Sequence, residues 1–200
     1  MTITHNGLLS AIDRIAAAME RDFDMLNAAD GALGDGDLGV TMTRGMRAIS
    51  ETKDDLPEDI GMALFQCAQA FTKSSGSSYG TLVATGLMSA AKTLRGKDHI
   101  DPEDMSGLIA GARDKMQERG KAALGGKTVL DSLDYLAKAL ASAENKATAA
   151  AQAVDTALKD FRDKPATAGR ARIFGDKSIG MDDPGMLAMQ SVVKAAVARH

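Results

Sequence analysis

Apolar side chains recur along this chain at steps of three and four. Leu8, Ile12, Ile15, Met19, Phe23 and Leu26 fall on one face of a helix, and so do Ile60, Leu64, Cys67 and Phe71. Leu130, Leu133, Leu136 or Ala137, and Leu140 keep the same step. Ala147, Ala150, Val154, Leu158 and Phe161 carry it through an alanine-rich segment, and Met189, Val192, Val193 and Ala196 repeat it near the C-terminus. Such spacing predicts amphipathic α-helices. No run alternates with the period of two that a half-buried strand requires. Asp55-Leu56-Pro57-Glu58 and Asp101-Pro102-Glu103 read as helix starts, with proline near the first helical position and acids in the first turn. The pattern predicts an all-α fold of eight antiparallel helices, over residues 5–27, 39–52, 57–73, 78–95, 103–119, 128–143, 146–163 and 184–199.

The glycines fall in four groups, at residues 31–39, 76–80, 120–126 and 169–185, each between two predicted helices. Every second connection of an antiparallel bundle lies at the same end. The glycine-rich connections follow the first, third, fifth and seventh helices, so all four are predicted to meet at one end.

Composition narrows this picture. Two hundred residues suit one domain, read here as a single unit over 1–200. Hydrophobic residues make up 44% and aromatics only 4%, with no tryptophan, so the core must be Ala, Leu, Ile, Val and Met, a palette of closely packed helices. The formal charge is −3, and no basic stripe interleaved with aromatics appears, which argues against nucleic acid as a partner. The lone Cys67 sits on an apolar face and reads as a buried structural thiol. The N-terminus lacks a basic region followed by an apolar run, and no apolar stretch approaches the ~20 residues of a membrane span. The expectation is a soluble cytoplasmic protein with no membrane partner.

The chemistry concentrates in Asp30-Gly-Ala-Leu-Gly-Asp-Gly-Asp-Leu-Gly-Val-Thr-Met42. Gly34-x-Gly36-x-x-Gly39 matches the dinucleotide fingerprint literally, but that motif must follow a strand, and residues 8–26 read as helix. Gly126-Lys127-Thr128 resembles the end of a P-loop, yet Lys121 stands where its first glycine belongs, and Gly120 comes one residue too early. An EF-hand fails as well, with Gly39 and Met46 at positions that need acids or amides. Two readings of Asp30, Asp35 and Asp37 stay open: a solvated acidic turn, or a set of hard oxygen ligands for Mg²⁺ or Ca²⁺. In the second, the metal holds phosphate and the glycines let backbone approach both. Ser77, Ser78 and Thr128 suit helix caps or phosphate contacts, which are compatible roles at a helix N-terminus. Arg170 suits either a carboxylate or a ligand, and Asp131 a structural role. His5, His99 and His200 fall outside every motif and read as surface groups.

The motifs, taken in order, resemble a known family. Asp30, Gly34-Asp35-Gly36-Asp37-Leu38-Gly39 with Thr41-Met42, then Gly76-Ser77-Ser78, Gly126-Lys127-Thr128-Val129-Leu130-Asp131, Gly169-Arg170-Ala171 and Gly175-Asp176-Lys177-Ser178-Ile179-Gly180-x-x-Asp183-Pro184-Gly185 follow the pattern of the nucleotide-binding L subunit of dihydroxyacetone kinases. The resemblance implies a barrel of eight antiparallel helices with ATP or ADP and two Mg²⁺ at one end. It implies that Asp30, Asp35 and Asp37 bind the metals. Leu38, Gly39, Val40 and Thr41, with Ser77 and Ser78, would lie by the phosphates; Gly120, Thr128 and Val129 would border the base or ribose; Lys177, Asp183, Pro184 and Gly185 would close over the nucleotide.

The chain departs from the family where Leu38 and Met181 stand in place of histidine and Lys177 in place of arginine. Lys177 keeps the charge but not the planar fork. The implied activity is phosphoryl transfer to a small ketose such as dihydroxyacetone, held on a partner K subunit. One alternative is a relay in which a phosphotransferase-system protein rephosphorylates permanently bound ADP. Another is a non-catalytic nucleotide-binding regulator. The three glycines of 175–185 further predict a pliable segment that brings Lys177 over the phosphates.

Overall fold

The computed structural model describes residues 2–198. Nine α-helices are present among them: α1 (His5–Arg21), α2 (Phe23–Leu33), α3 (Leu38–Glu51), α4 (Ile60–Ser74), α5 (Ser78–Thr93), α6 (Met105–Gly120), α7 (Val129–Ser142), α8 (Lys146–Arg162) and α9 (Pro184–Val197). The expected all-α class and the helical stripes hold. Two short 3₁₀ segments, Lys53–Asp55 and Arg170–Ser178, lie in connections.

The ninth helix arises because the expected 5–27 helix breaks. Asp22 leaves helical geometry (φ −94°, ψ 6°), and its carboxylate takes both Nε and Nη2 of Arg21 at 2.8 Å. The chain restarts as α2 and runs on to Leu33, so Asp30 lies on a helix. Two further starts shift. α4 begins at Ile60 rather than 57, because Asp59 caps it, accepting from Met62 N–H at 2.9 Å and from Gly96 N–H at 2.8 Å. α6 begins at Met105 rather than 103. The end of α9 expected at 199 falls outside the described residues.

Helices α1, α3, α4, α5, α6, α7, α8 and α9 form a ring in which each packs on its neighbours, and α9 closes it against α1. Additional packing of α7 on α9 and α3 on α5 fills the interior. Met19, Leu26, Phe71, Ile60, Val154 and Met186 are wholly buried there. The packing is close enough that a Cβ on Gly45 would collide with the Phe71 ring at 2.2 Å. Cys67 is buried and free, and desolvation pushes its thiol up to about 11, as a structural thiol requires.

Unforeseen in the sequence is a two-residue antiparallel ladder, Ile3–Thr4 with His99–Ile100, which ties the N-terminus to the α5–α6 connection. Both described histidines stand at this end. His5 is a correction: its side chain is only 13% exposed and meets Leu56 O through Nε2 at 3.1 Å. His99 is more exposed and pairs with Asp98 at 2.5 Å. His200 lies outside the described residues. No helix among the described residues is long and apolar enough to cross a membrane.

Candidate functional site at one end of the ring

The α2–α3, α4–α5, α6–α7 and α8–α9 connections meet at the other end, as the glycine pattern predicts. They surround a cleft that is open to solvent on one side.

The α2–α3 connection supplies the acids. Gly34 has no side chain because Asp30 occupies the space: a Cβ there would stand 2.4 Å from Asp30 Oδ1. Gly36 turns the chain at φ +80°, a conformation that favours glycine. The turn aims the N–H groups of Gly36 and Asp37 at Asp30 Oδ2, which accepts both at 2.9 Å. Asp37 is the N-cap residue of α3 but makes no capping bond with its side chain. The Val40 N–H goes instead to Asn27 Oδ1 at 3.3 Å. The Asp37 carboxylate is therefore left for the cluster. Asp30, Asp35 and Asp37 each present an oxygen, and these oxygens lie within 4.8 Å of one another. Asp35 pairs with the guanidinium of Arg170, which crosses from the α8–α9 connection.

Facing this cluster are the N-termini of four helices, α3, α5, α7 and α9, whose first residues line the cleft. Each brings the partial positive charge of its helix dipole. Ser77 caps α5 by accepting from Gly80 N–H at 2.9 Å. Thr128 caps α7 in a capping box with Asp131, whose carboxylate takes the N–H of Thr128 at 2.8 Å and of Gly125 at 2.5 Å. Asp131 is thus structural, as expected. Asp183 caps α9, accepting from Met186 N–H at 2.9 Å. Burial pushes its carboxyl up to about 7, against the pull of the Met186 and Gly185 N–H groups and of the Lys127 charge. The Tyr79 hydroxyl donates to Gly185 O at 2.9 Å, and the ring fills the place of a side chain on Gly185. Opposite, Leu82, Met116, Ala122, Val129 and Leu130 make an apolar wall.

Of the residues singled out in the sequence, Asp30, Asp35, Asp37, Leu38, Ser77, Ser78, Gly120, Thr128, Val129, Asp183, Pro184 and Gly185 all line this cleft. Gly39, Val40, Thr41 and Lys177 do not. Gly39 is where α3 touches α2: a Cβ would come within 2.3 Å of Phe23 O. Val40 is held by Asn27, and Thr41 is buried, its N–H on Asp37 O at 2.9 Å. Lys177 is exposed.

The segment carrying Lys177 is also better anchored than its glycines suggest. Ser178 is buried, accepts from Ala166 N–H at 2.7 Å and donates to Gly175 O at 2.6 Å. Lys127, the apparent P-loop lysine, is a strut. It is 1% exposed, and its Nζ donates to the carbonyls of Arg162, Lys164 and Ser178 at 2.8–3.0 Å. Sequence reasoning passed over Tyr79, Leu82, Met116 and Ala122. The available signal was that Tyr79 follows Ser78, Leu82 stands one turn after it, and Met116 one turn before Gly120.

Comparison with known proteins agrees with this architecture. A family model described as the DAK2 domain matches residues 32–198. The ADP-binding subunit DhaL of a PEP-dependent dihydroxyacetone kinase from Listeria innocua is 27% identical, over 92% of this chain and 91% of that protein. The human triokinase/FMN cyclase is 31% identical over 93% of this chain, which spans only 35% of that longer protein. Among solved structures, the dihydroxyacetone kinase of C. freundii superposes with a TM-score of 0.77 in its native form and 0.73 in complex with AMP-PNP and Mg²⁺. Identity is 22% in both, covering 94% of this chain and about a third of that one. The matched family model spans Asp35 and Asp37 of the acid cluster, the four helix N-termini and the strut, and the chain belongs to the DAK2 domain family.

Proposed function

We propose that this chain is the nucleotide- and Mg²⁺-binding subunit of a dihydroxyacetone-kinase-type phosphotransferase, passing a phosphoryl group to a small ketose held on a partner K subunit. The observation that carries this reading is the convergence of three carboxylates and four helix N-termini on one cleft. Either alone is common. Together they suit a divalent cation on one side and phosphates on the other.

The residues fit the metal: all-oxygen donors on a short turn, with Asp30 oriented by two N–H bonds. Asp30, Asp35 and Asp37 would hold two Mg²⁺, which supply charge neutralisation and orientation of the transferred group. Leu38, Ser77, Ser78 and the first turn of α5 present N–H and hydroxyl donors to phosphate oxygens. Gly120, Val129 and the apolar wall receive the base, and Thr128 the ribose. Asp183, Pro184 and Gly185 close the remaining side. Lys177 adds a positive charge at the mouth, while Gly39, Val40 and Thr41 act indirectly by seating α3 on α2.

The acceptor site belongs to another subunit in this reading. His5 and His99 stand at the far end, away from the cleft. Leu124, Ile173 and Ile179 are exposed apolar side chains on the connections around its mouth, Ile173 at 77%, and suit a docking surface. A relative matching nearly end to end is named as a PEP-dependent, ADP-binding subunit, which favours a second form of the reading: resident ADP recharged by a phosphotransferase-system protein. A cytoplasmic location, where nucleotides are held, goes with either form.

The test is a transfer assay with purified chain, a K subunit, MgATP and a panel of ketoses, alongside nucleotide exchange. The chain alone should be inactive and the pair active with at least one ketose. ADP retained through gel filtration with no use of ATP identifies the relay. Robust turnover by the isolated chain contradicts the partner requirement, and MgADP binding without transfer under any condition identifies a regulator.

A further inference from the structure

Resting on that nucleotide reading, we infer that Arg170 is a counter-cation shared between the metal site and the phosphates: it neutralises Asp35 when no metal is bound and turns to phosphate oxygens when the metal–nucleotide enters.

The three carboxylates are not equivalent. Asp30 is neutralised in part by two backbone N–H groups, and Asp37 makes no capping bond. Asp35 alone has a full cationic partner, the Arg170 guanidinium. Each side chain of this pair is half exposed, so neither is locked by packing. Both line the same cleft as Ser77 and Ser78. The neighbours of Arg170 are differently placed. Ala171 is buried against Leu33 and Ala166, so the backbone at this point is fixed beside the end of α2. The side chain is thus free to turn while its Cα stays within reach of the acids.

A divalent cation on Asp35 loosens the hold of the guanidinium, because the two cations repel at close range and the metal draws on the same carboxylate charge. Metal entry therefore weakens the Arg170–Asp35 pair and favours release of Arg170. Nearby anions left to it are the phosphates that the same metal holds, for which a planar fork is well suited. Two consequences of opposite sign follow. Arg170 opposes binding of metal alone, and it favours binding of metal with nucleotide. The residue thereby couples the two ligands, since whatever one gains from the other is reciprocal. A guanidinium that serves only to hold the α8–α9 connection in place has no such signature, because its loss weakens both.

The experiment uses Arg170→Gln and Arg170→Lys in the full chain stripped of nucleotide. Binding of Mn²⁺ alone is followed by electron paramagnetic resonance, and binding of MgADP by calorimetry. Circular dichroism reports folding. For Arg170→Gln, Mn²⁺ alone should bind roughly two- to fivefold more tightly, the scale of a half-exposed ion pair, and MgADP about tenfold more weakly. Arg170→Lys should leave Mn²⁺ binding near wild type and still weaken MgADP, because it keeps the charge and loses the fork. Should the glutamine variant fail to fold, the lysine variant carries the test through that split. Mn²⁺ binding weakened or unchanged in Arg170→Gln, or MgADP binding unchanged in either variant, overturns the assignment. These outcomes differ from failure of the nucleotide reading itself, which would show as wild-type protein that binds no MgADP.

Discussion

The α2–α3 and α8–α9 connections lie side by side at the cleft and are built on opposite principles. The first is four residues long between its helices, and its geometry is local. Asp30 bonds to N–H groups six and seven residues on, and Gly34 and Gly36 exist to allow that. The second runs from Asp163 to Asp183 and is held from afar. Lys127 reaches it across 35 to 51 residues of sequence, Thr167 N–H meets Gly126 O at 3.2 Å, and Arg170 meets Asp35. A ligand-holding turn can be encoded in a dozen residues. A wall that must keep its place beside that turn is fixed by whatever the rest of the ring offers.

This comparison can be broken most sharply at Asp37. Its carboxylate caps nothing, so Asp37→Asn should leave helix content and melting temperature near wild type. It should weaken MgADP binding by at least about 100-fold, since even outer-shell changes at metal sites cost 10–100-fold. Calorimetry beside circular dichroism checks both halves. In the α8–α9 connection, Lys127→Met should do the reverse. Three carbonyls lose the Lys127 donor, of which Arg162 O keeps the Gly180 N–H at 2.9 Å, and stability in urea should fall by about 2–3 kcal/mol. Amide exchange should rise first in residues 163–183, with the acid turn little changed. Equal loss of protection in both connections would erase the distinction.

A middle-sized effect is expected from Gly34→Ala. The tip of the Asp30 side chain can swing aside, but the Asp30 carbonyl oxygen stands 3.0 Å from the added Cβ, so stability should drop by about 1–2 kcal/mol. The displaced carboxylate should nonetheless weaken MgADP about tenfold, a loss measurable by the same calorimetry. A loss of stability without a loss of affinity would mean that Asp30 is oriented for the fold alone.

A different kind of test is the effect of pH on Asp183. Its carboxyl is raised to about 7 in the folded chain, above the ~3.9 of an unfolded aspartate. The folded state therefore binds the proton more tightly. The corresponding stability is present below pH 4, falls by up to about 1.4 kcal/mol per pH unit as pH rises toward 7, and is flat above it. Asp183→Asn keeps a capping oxygen and lacks the charge. The difference between wild type and this variant in chemical denaturation should follow that slope between pH 4 and 7. A difference independent of pH would show that the buried carboxyl titrates normally.

What was legible in the sequence follows the same divide. The helical stripes, the meeting of four glycine-rich connections and the Asp30–Asp35–Asp37 cluster all rest on spacing within a few turns of chain. Ser77 and Thr128 were visible as caps because capping is local; Asp183 was read only as part of a turn over the nucleotide, and its capping of α9 was not foreseen. The break at Asp22 was not, since a Phe23–Leu26 stripe continues in phase across it and only the Arg21–Asp22 pair marks the kink. Gly39 also seats α3 on α2, a role the sequence hides because close approach of two helices leaves the same glycine as close approach of a ligand. At Lys127 the sequence offered only a P-loop likeness that failed on spacing. Nothing beside it in sequence reveals that three carbonyls from a segment 35 to 51 residues away converge on its Nζ. The glycines around Lys177 predict a pliable segment, whereas Ser178 beside it is buried and bonded within that segment.

The account rests on one claim, that the acid turn and the helix N-termini act together, the first through a divalent cation. Calorimetric titration of ADP into nucleotide-stripped protein, with Mg²⁺ and then with excess EDTA, tests it directly. Saturable binding with Mg²⁺ that disappears on chelation is the predicted result. Binding of equal strength in EDTA, or no binding in either condition, would contradict it.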